Sequence, residues 1–145
     1  MQEQPTYPVA NIVSMSGGKD STATLLCALE WGAINLDAVF CDTGHEHPLT
    51  LEHIEYLADA TGVTIHTLRA DFSEGIARKR AKVDAKWPEP LRSRALQVLH
   101  PTGIPFLDLC IWKGRFPAAR SQFCTTELKS NVIRDYVLSR SEPAI

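Results

Sequence analysis

The chain has little that would anchor, export or cross-link it. No apolar run approaches the length of a transmembrane helix, and Met1-Gln2-Glu3-Gln4-Pro5 lacks the basic start and apolar core of a secretory leader. A membrane partner is therefore not expected, and the default compartment is the cytoplasm. Four cysteines, Cys27, Cys41, Cys110 and Cys124, lie scattered over 145 residues without a C-x-x-C pair. That spacing argues against a zinc ribbon or a four-cysteine iron–sulfur site, and a reducing compartment argues against disulfides. Two familiar nucleotide-binding signatures are missing, the G-x-x-x-x-G-K-[ST] of the Walker A loop and the G-x-G-x-x-G of dinucleotide folds. Basic residues are almost missing from the first half. Residues 1–68 hold Lys19 against nine acids and residues 69–145 hold fourteen bases against eight acids, so a net charge of −2 conceals halves near −8 and +6.

What remains is an ordinary globular composition, 44% apolar and 22% charged, at a length that suits one domain over residues 1–145. There is no internal repeat and no low-complexity segment. Val9 to Met15 is nearly all apolar and reads as a strand buried on both faces. Ser21 to Trp31 reads as a helix apolar around most of its circumference, which predicts cover on two sides, with Gly32 placed for a left-handed cap. Leu36 to Cys41 is a second strand. Pro48 sets the start of a second helix from Leu49 to Thr61, closed by Gly62, and Val63 to Leu68 alternates as a third strand. Strands separated by helices predict an α/β fold, βαβαβ with a parallel sheet and right-handed crossovers. Beyond Asp71 the pattern turns helical. Ser73 is placed to cap a basic helix through Lys86, and a further helix spans Leu91 to Leu99. Phe106 to Trp112 reads equally as a short helix or a packed loop. Gly114 to Gln122 reads as loop, Thr125 or Thr126 starts a last helix to Leu138, and Ser139 to Ile145 reads as frayed. The run Arg78-Lys79-Arg80 with Lys82 and Lys86 reads as a solvated helix face.

The chemistry concentrates in Ser16-Gly17-Gly18-Lys19-Asp20-Ser21, between the first strand and the first helix. Adjacent glycines let the backbone turn sharply and bring its N–H groups close to a ligand. The helix start adds unpaired N–H groups and the positive end of a dipole. Ser21 or Asp20 is placed to cap the helix, and Lys19 adds a full positive charge where an anion would need it. The competing reading is an ordinary βα turn, in which the same residue types serve turn and cap.

Ser-Gly-Gly-Lys-Asp-Ser after a first strand resembles the PP-loop of the adenine nucleotide α-hydrolase superfamily. Val39-Phe40-Cys41-Asp42-Thr43-Gly44-His45-Glu46-His47-Pro48 resembles the DTG-x-E-x-P segment of phosphoadenosine-phosphosulfate (PAPS) reductases. Gln122-Phe123-Cys124-Thr125-Thr126-Glu127-Leu128-Lys129 resembles the later Cys-x-x-x-x-x-Lys element of that family's phage and DNA-phosphorothioation relatives. The resemblance implies a doubly wound, HUP-like parallel sheet in the order 3-2-1, helices on both faces and a helical C-terminal part. In that superfamily a fourth strand pairs beside the first. None is legible here, which leaves the first strand an edge that a partner subunit or second copy covers, that the helical region covers, or that marks a shortened version of a longer relative.

The same resemblance implies that Ser16, Gly17, Gly18, Lys19, Asp20 and Ser21 hold the phosphate or phosphosulfate of ATP or PAPS. Asp42, Thr43 and Gly44 would lie nearby, with Arg115, Arg120 and Lys129 closing the anion pocket. Catalysis would fall to Lys19 and to Cys124, a thiol among basic neighbours. The expected reactions are sulfonyl transfer from PAPS to a thiolate, resolved by a thiol or thioredoxin donor, or attack on the α-phosphate of ATP. A noncatalytic nucleotide-binding module is the third reading, since the chain carries no Glu-Cys-Gly-x-His tail. Asp42 is the residue suited to a nucleotide-bound magnesium ion. His45 and His47 read as helix-entry residues, and no protein metal site is expected. A nucleic-acid partner stays open on the charge of the second half.

Overall fold

The computed structural model describes residues 10–140, which form two compact units. One comprises the chain up to Cys41 together with Glu46–Leu68, and the other comprises Asp42–His45 together with the chain from Arg69 onward. Among the described residues no helix is long and apolar enough to cross a membrane.

The first unit runs β1 (Asn11–Met15), α1 (Lys19–Glu30), β2 (Leu36–Cys41), α2 (Pro48–Thr61) and β3 (Ile65–Leu68). The strands pair in parallel in the order β1-β2-β3, with Met15 opposite Phe40 and Cys41 opposite Leu68. The three-two-one order is thus the one expected, and among the described residues β1 pairs only with β2. Successive right-handed crossovers in one direction bring both helices over the same face of the sheet. On that face Val13, Met15, Ala38 and Phe40 alternate inward and meet Leu25, Ile54 and Leu57 in one core cluster. Leu25, Ala38 and Val39 are wholly buried.

Some boundaries depart from expectation and one is not tested. The start of the first strand at Val9 lies outside the described residues. The third strand begins at Ile65 rather than at Val63, which packs against the core ahead of the ladder. Helix α1 begins at Lys19 rather than Ser21, and it is not covered on two sides. Leu25 is its one buried residue, while Leu26, Leu29 and the adjoining Trp31 (83% exposed) face outward. A single stripe through Leu25 and Ala28 reaches the core, which is all that one helix over one sheet face requires. Helix α2 has the ends expected of it. His47 Nδ1 accepts from the Leu49 N–H at 3.2 Å, Pro48 opens the first turn, and Gly62 closes the helix at φ 70°.

In the second unit α3 (Ser73–Lys86), α4 (Leu91–Val98) and α5 (Pro105–Lys113) precede α6 (Phe123–Thr125), a π-turn at Thr126–Ser130 and α7 (Asn131–Ser139). The last helix therefore begins before Thr125 and carries an extra residue in one turn. The ambiguous segment at Phe106 is helical, with Pro105 in the first turn and Gly114 as left-handed cap. Its buried Asp108 carboxylate accepts from the Thr102 N–H (2.6 Å), the Thr102 hydroxyl (2.7 Å) and the Gly103 N–H (3.2 Å). Phe72, Ile76, Leu109 and Leu128 form the core, joined by Trp112, Phe123 and Cys124.

The basic run on α3 is not simply a solvated face. Lys79 Nζ donates to the carbonyls of Ile111 (3.0 Å) and Trp112 (2.9 Å) at the end of α5. Arg80 donates to the carbonyls of Leu96 (2.5 Å) and Leu99 (3.2 Å) at the end of α4. Each cation satisfies carbonyls that have no partner within their own helix. Partial burial pushes the Lys79 pKa down from the usual lysine range. Nor does Ser73 cap α3 with its own side chain. It sits in the first turn, and Asp71 accepts from both its N–H and its hydroxyl.

Candidate functional site

In the first unit the Ser16–Ser21 loop turns through Gly17 at φ +75°. A Cβ at that position would stand 2.6 Å from Thr50 Cγ2 on α2, so glycine answers both a backbone and a packing demand. The Ser21 hydroxyl accepts from the Ser16 N–H (3.1 Å) and hydroxyl (3.2 Å) and donates to the Gly18 carbonyl (3.0 Å). That same carbonyl accepts from the Thr22 N–H and the Thr22 hydroxyl, both at 3.1 Å. Three donors thus fix the Gly18–Lys19 peptide through its oxygen, which aims the Lys19 N–H the opposite way.

The consequence is a correction to the expected capping. Neither Ser21 nor Asp20 caps α1, and Gly18 stands at the cap position without a side chain to offer. The amides of Lys19, Asp20 and Ser21 find no acceptor among the described residues, and the exposed Lys19 ammonium has no ion-pair partner there. Unpaired amides at the positive end of a twelve-residue helix, beside a solitary cation, form an anion-receptive surface.

In the second unit Asp42 and Gly44 converge with Arg69. Asp42 Oδ1 accepts from the Gly44 N–H at 2.7 Å, and its Oδ2 lies 3.3 Å from Arg69 Nε. Arg69 also donates to the Gly103 carbonyl at 3.3 Å. The buried Thr43 contributes its carbonyl to the Phe106 N–H at 3.0 Å. Gly44 at φ +76° passes so close to Ile104 that a Cβ would stand 2.9 Å away. The Asp42 carboxylate therefore shares its space with a guanidinium, which disfavours a cation at the same oxygens. That donor set does not fit magnesium.

The basic residues of this unit are placed differently from one another. Arg115 donates to the Ser121 hydroxyl at 3.0 Å and lies over the Phe123 ring at 5.3 Å. Arg120 is exposed in the turn that the Ala118–Ser121 bridge closes, and Lys129 is exposed on the π-turn. Cys124 is half-buried against the apolar core. Its neighbour Cys110 is buried, and burial, then the Cys124 thiol beside it, pushes the Cys110 pKa up. Among the described residues no three histidine, cysteine or acidic side chains group as metal ligands.

Two features escaped the residue pattern. Thr22, Thr50 and His53 support the loop, and only knowing how α2 lies against it would single them out. A cleft of about 400 Å³ also opens in the second unit, rimmed by Arg69, Glu74, Arg78, Glu127 and Arg134. Two of its guanidiniums are paired, Arg78 with Glu74 (2.5 Å) and Arg134 with Asp135 (2.9 Å), and with Asp71 and Glu127 also lining it the cleft carries no excess of positive charge.

Residues 10–99 match the phosphoadenosine phosphosulfate reductase domain family. The chain is 44% identical over 142 residues to an uncharacterised 37.8 kDa protein of Escherichia phage 186, covering 88% of this chain and 42% of that protein. It is 30% identical over 122 residues to the uncharacterised nin region protein ORF290 of Escherichia phage lambda, covering 82% of this chain and 39% of the relative. The chain thus spans about two fifths of the length of these curated relatives. With well over half of its residues matched, the chain belongs to the phosphoadenosine phosphosulfate reductase domain family.

Proposed function

We propose that this family member binds the phosphate or phosphosulfate group of an adenine nucleotide at the Ser16–Ser21 loop and acts on PAPS or a related adenylyl compound. The observation that carries the reading is the uncapped start of α1, where the Ser21 and Thr22 hydroxyls are turned onto the Gly18 carbonyl, that of Ser16 onto Ser21, and the amides are left to a ligand. A helix end contributes only about 0.3–1 kcal/mol to an anion, or ~2 kcal/mol when partly buried. Affinity must therefore come from several donors together, and Lys19, Arg115, Arg120 and Lys129 are the cations assigned to it, with Asp42, Thr43 and Gly44 as further nucleotide contacts.

For PAPS, the Cys124 thiolate would attack sulfur, the bond to the departing phosphate oxygen would break, and adenosine 3′,5′-bisphosphate would leave. A second thiol would then displace sulfite from the S-sulfocysteine, forming a disulfide. The packing of Cys124 against the apolar core favours a second reading. In it the chain holds ATP or PAPS without thiol chemistry, either adenylylating a substrate with release of pyrophosphate or serving as a binding module for a partner subunit.

A thermal-shift panel of ATP, PAPS, adenosine 3′,5′-bisphosphate and sulfate, followed by turnover assays, separates these readings. Stabilisation that disappears in Lys19→Ala supports the loop. Sulfite release from PAPS that stops in Cys124→Ser supports the reductase, and pyrophosphate release from ATP supports adenylylation. No response to any ligand would refute the nucleotide-binding reading.

A further inference from the structure

We infer that His53, acting through Thr22, is a positioning residue for the anion loop, and that one face of α2 is the shelf on which the loop is held. This rests on the reading of the loop as an oxyanion site and extends it to residues outside the hexapeptide. Thr50 and His53 are three residues apart on α2, so they share a face. Thr50 fills the space beneath Gly17, leaving no room for a side chain there. The half-buried His53 places Nε2 3.5 Å from Thr22 Oγ1, and its ring stacks on Tyr56 at a centroid distance of 6.3 Å.

Proton counting assigns the direction of that contact. A threonine hydroxyl has one proton to donate, and the Thr22 proton goes to the Gly18 carbonyl at 3.1 Å. Towards His53 the oxygen then accepts, which calls for the tautomer that carries its proton on Nε2. The chain of donors runs from His53 through Thr22 to Gly18, and it ends on the peptide whose N–H faces the anion. Losing the imidazole leaves the Thr22 hydroxyl free to rotate away from Gly18. The Gly18–Lys19 peptide then keeps fewer of the bonds that orient it. His53 touches no ligand in this scheme, and its effect is on the alignment of an amide.

Inorganic sulfate and ATP are the probes, with dissociation constants read from amide-resolved NMR titrations and folding checked by thermal melts. A net hydrogen bond corresponds to a change of about three- to ten-fold in affinity. His53→Leu and Thr22→Val should each weaken sulfate by about that factor, with the largest change in chemical shift at Lys19. His53→Gln, which restores a donor near the Nε2 position, should return affinity to within about two-fold. In the Thr22→Val background His53→Leu should add nothing, because the path is already cut. Wild-type affinity in His53→Leu, failure of Gln to rescue, or fully additive effects would each overturn the assignment. If His53→Leu does not fold, His53→Gln against Thr22→Val decides, since equal loss in both contradicts the donor role. If the wild-type chain binds neither sulfate nor ATP, the oxyanion reading itself has failed, an outcome distinct from all of these.

Discussion

Gly17 carries two demands that can be measured separately. Its φ of +75° costs an alanine about 1–2 kcal/mol, offset by ~0.4–1 kcal/mol through the stiffer unfolded chain. Gly62, at φ +70°, faces the same penalty, but nothing lies within 4 Å of its added Cβ. Gly62→Ala should therefore cost only about 0.5–1 kcal/mol. At Gly17 the added Cβ meets Thr50 Cγ2 at 2.6 Å, and either α2 or the loop must give way. Overpacking of that kind adds about 1–3 kcal/mol, for a total of about 1.5–4 kcal/mol. Thr50→Ser removes the methyl while keeping the hydroxyl, so Gly17→Ala in that background should fall back to the Gly62 value. Urea denaturation of the four single and double variants, with slopes compared to confirm a common transition, measures the coupling directly. If Gly17→Ala costs no more than Gly62→Ala, or if the Gly17 and Thr50 effects simply add, then α2 does not hold the loop as described.

Lys79→Met should lose about 1–2 kcal/mol of unfolding free energy, since the carbonyls of Ile111 and Trp112 lose a charged donor, whereas Lys82→Met on the same helix should stay within about 0.5 kcal/mol of wild type. The bonds from Ser73 hold the Asp71 carboxyl below its usual range. Its contribution is thus complete above the ordinary carboxylate pKa and is lost as pH falls through the lowered folded value. Asp71→Asn should accordingly flatten the acid limb of a stability–pH curve. In native protein iodoacetamide should modify exposed Cys27 first and half-buried Cys124 more slowly, with Cys41 and Cys110 protected until unfolding. Mass spectrometry of the time course checks the order, and early labelling of Cys110 would contradict its burial.

Elements that obey a simple period were legible from residues alone. β2 spans Leu36–Cys41 as read, α3 ends at Lys86 as read, and Pro48 with Gly62 marked both ends of α2. What escaped depended on tertiary partners. Glycine at the cap of α1 moved its start back to Lys19, because the hydroxyls that could have capped it bond to Gly18 and Ser16 instead. The α3 cations looked like surface charge, since nothing in their spacing reveals that the ends of α4 and α5 lie within reach. The π-turn at Thr126–Ser130 has no sequence period of its own. At the candidate site the hexapeptide was legible as a motif, whereas Thr22, Thr50 and His53 became visible only through the contact of α2 with the loop.

The claim on which the account turns is that the amides opening α1, with Lys19, receive the oxyanion of an adenine nucleotide. An amide-resolved NMR titration with ATP and with PAPS tests it most directly. Saturable shifts concentrated at Gly17 to Ser21 are the expected result, with loss of that response in Lys19→Ala at unchanged fold. Saturable shifts that instead cluster around the Arg78–Arg134 cleft, with the loop amides silent, would contradict it.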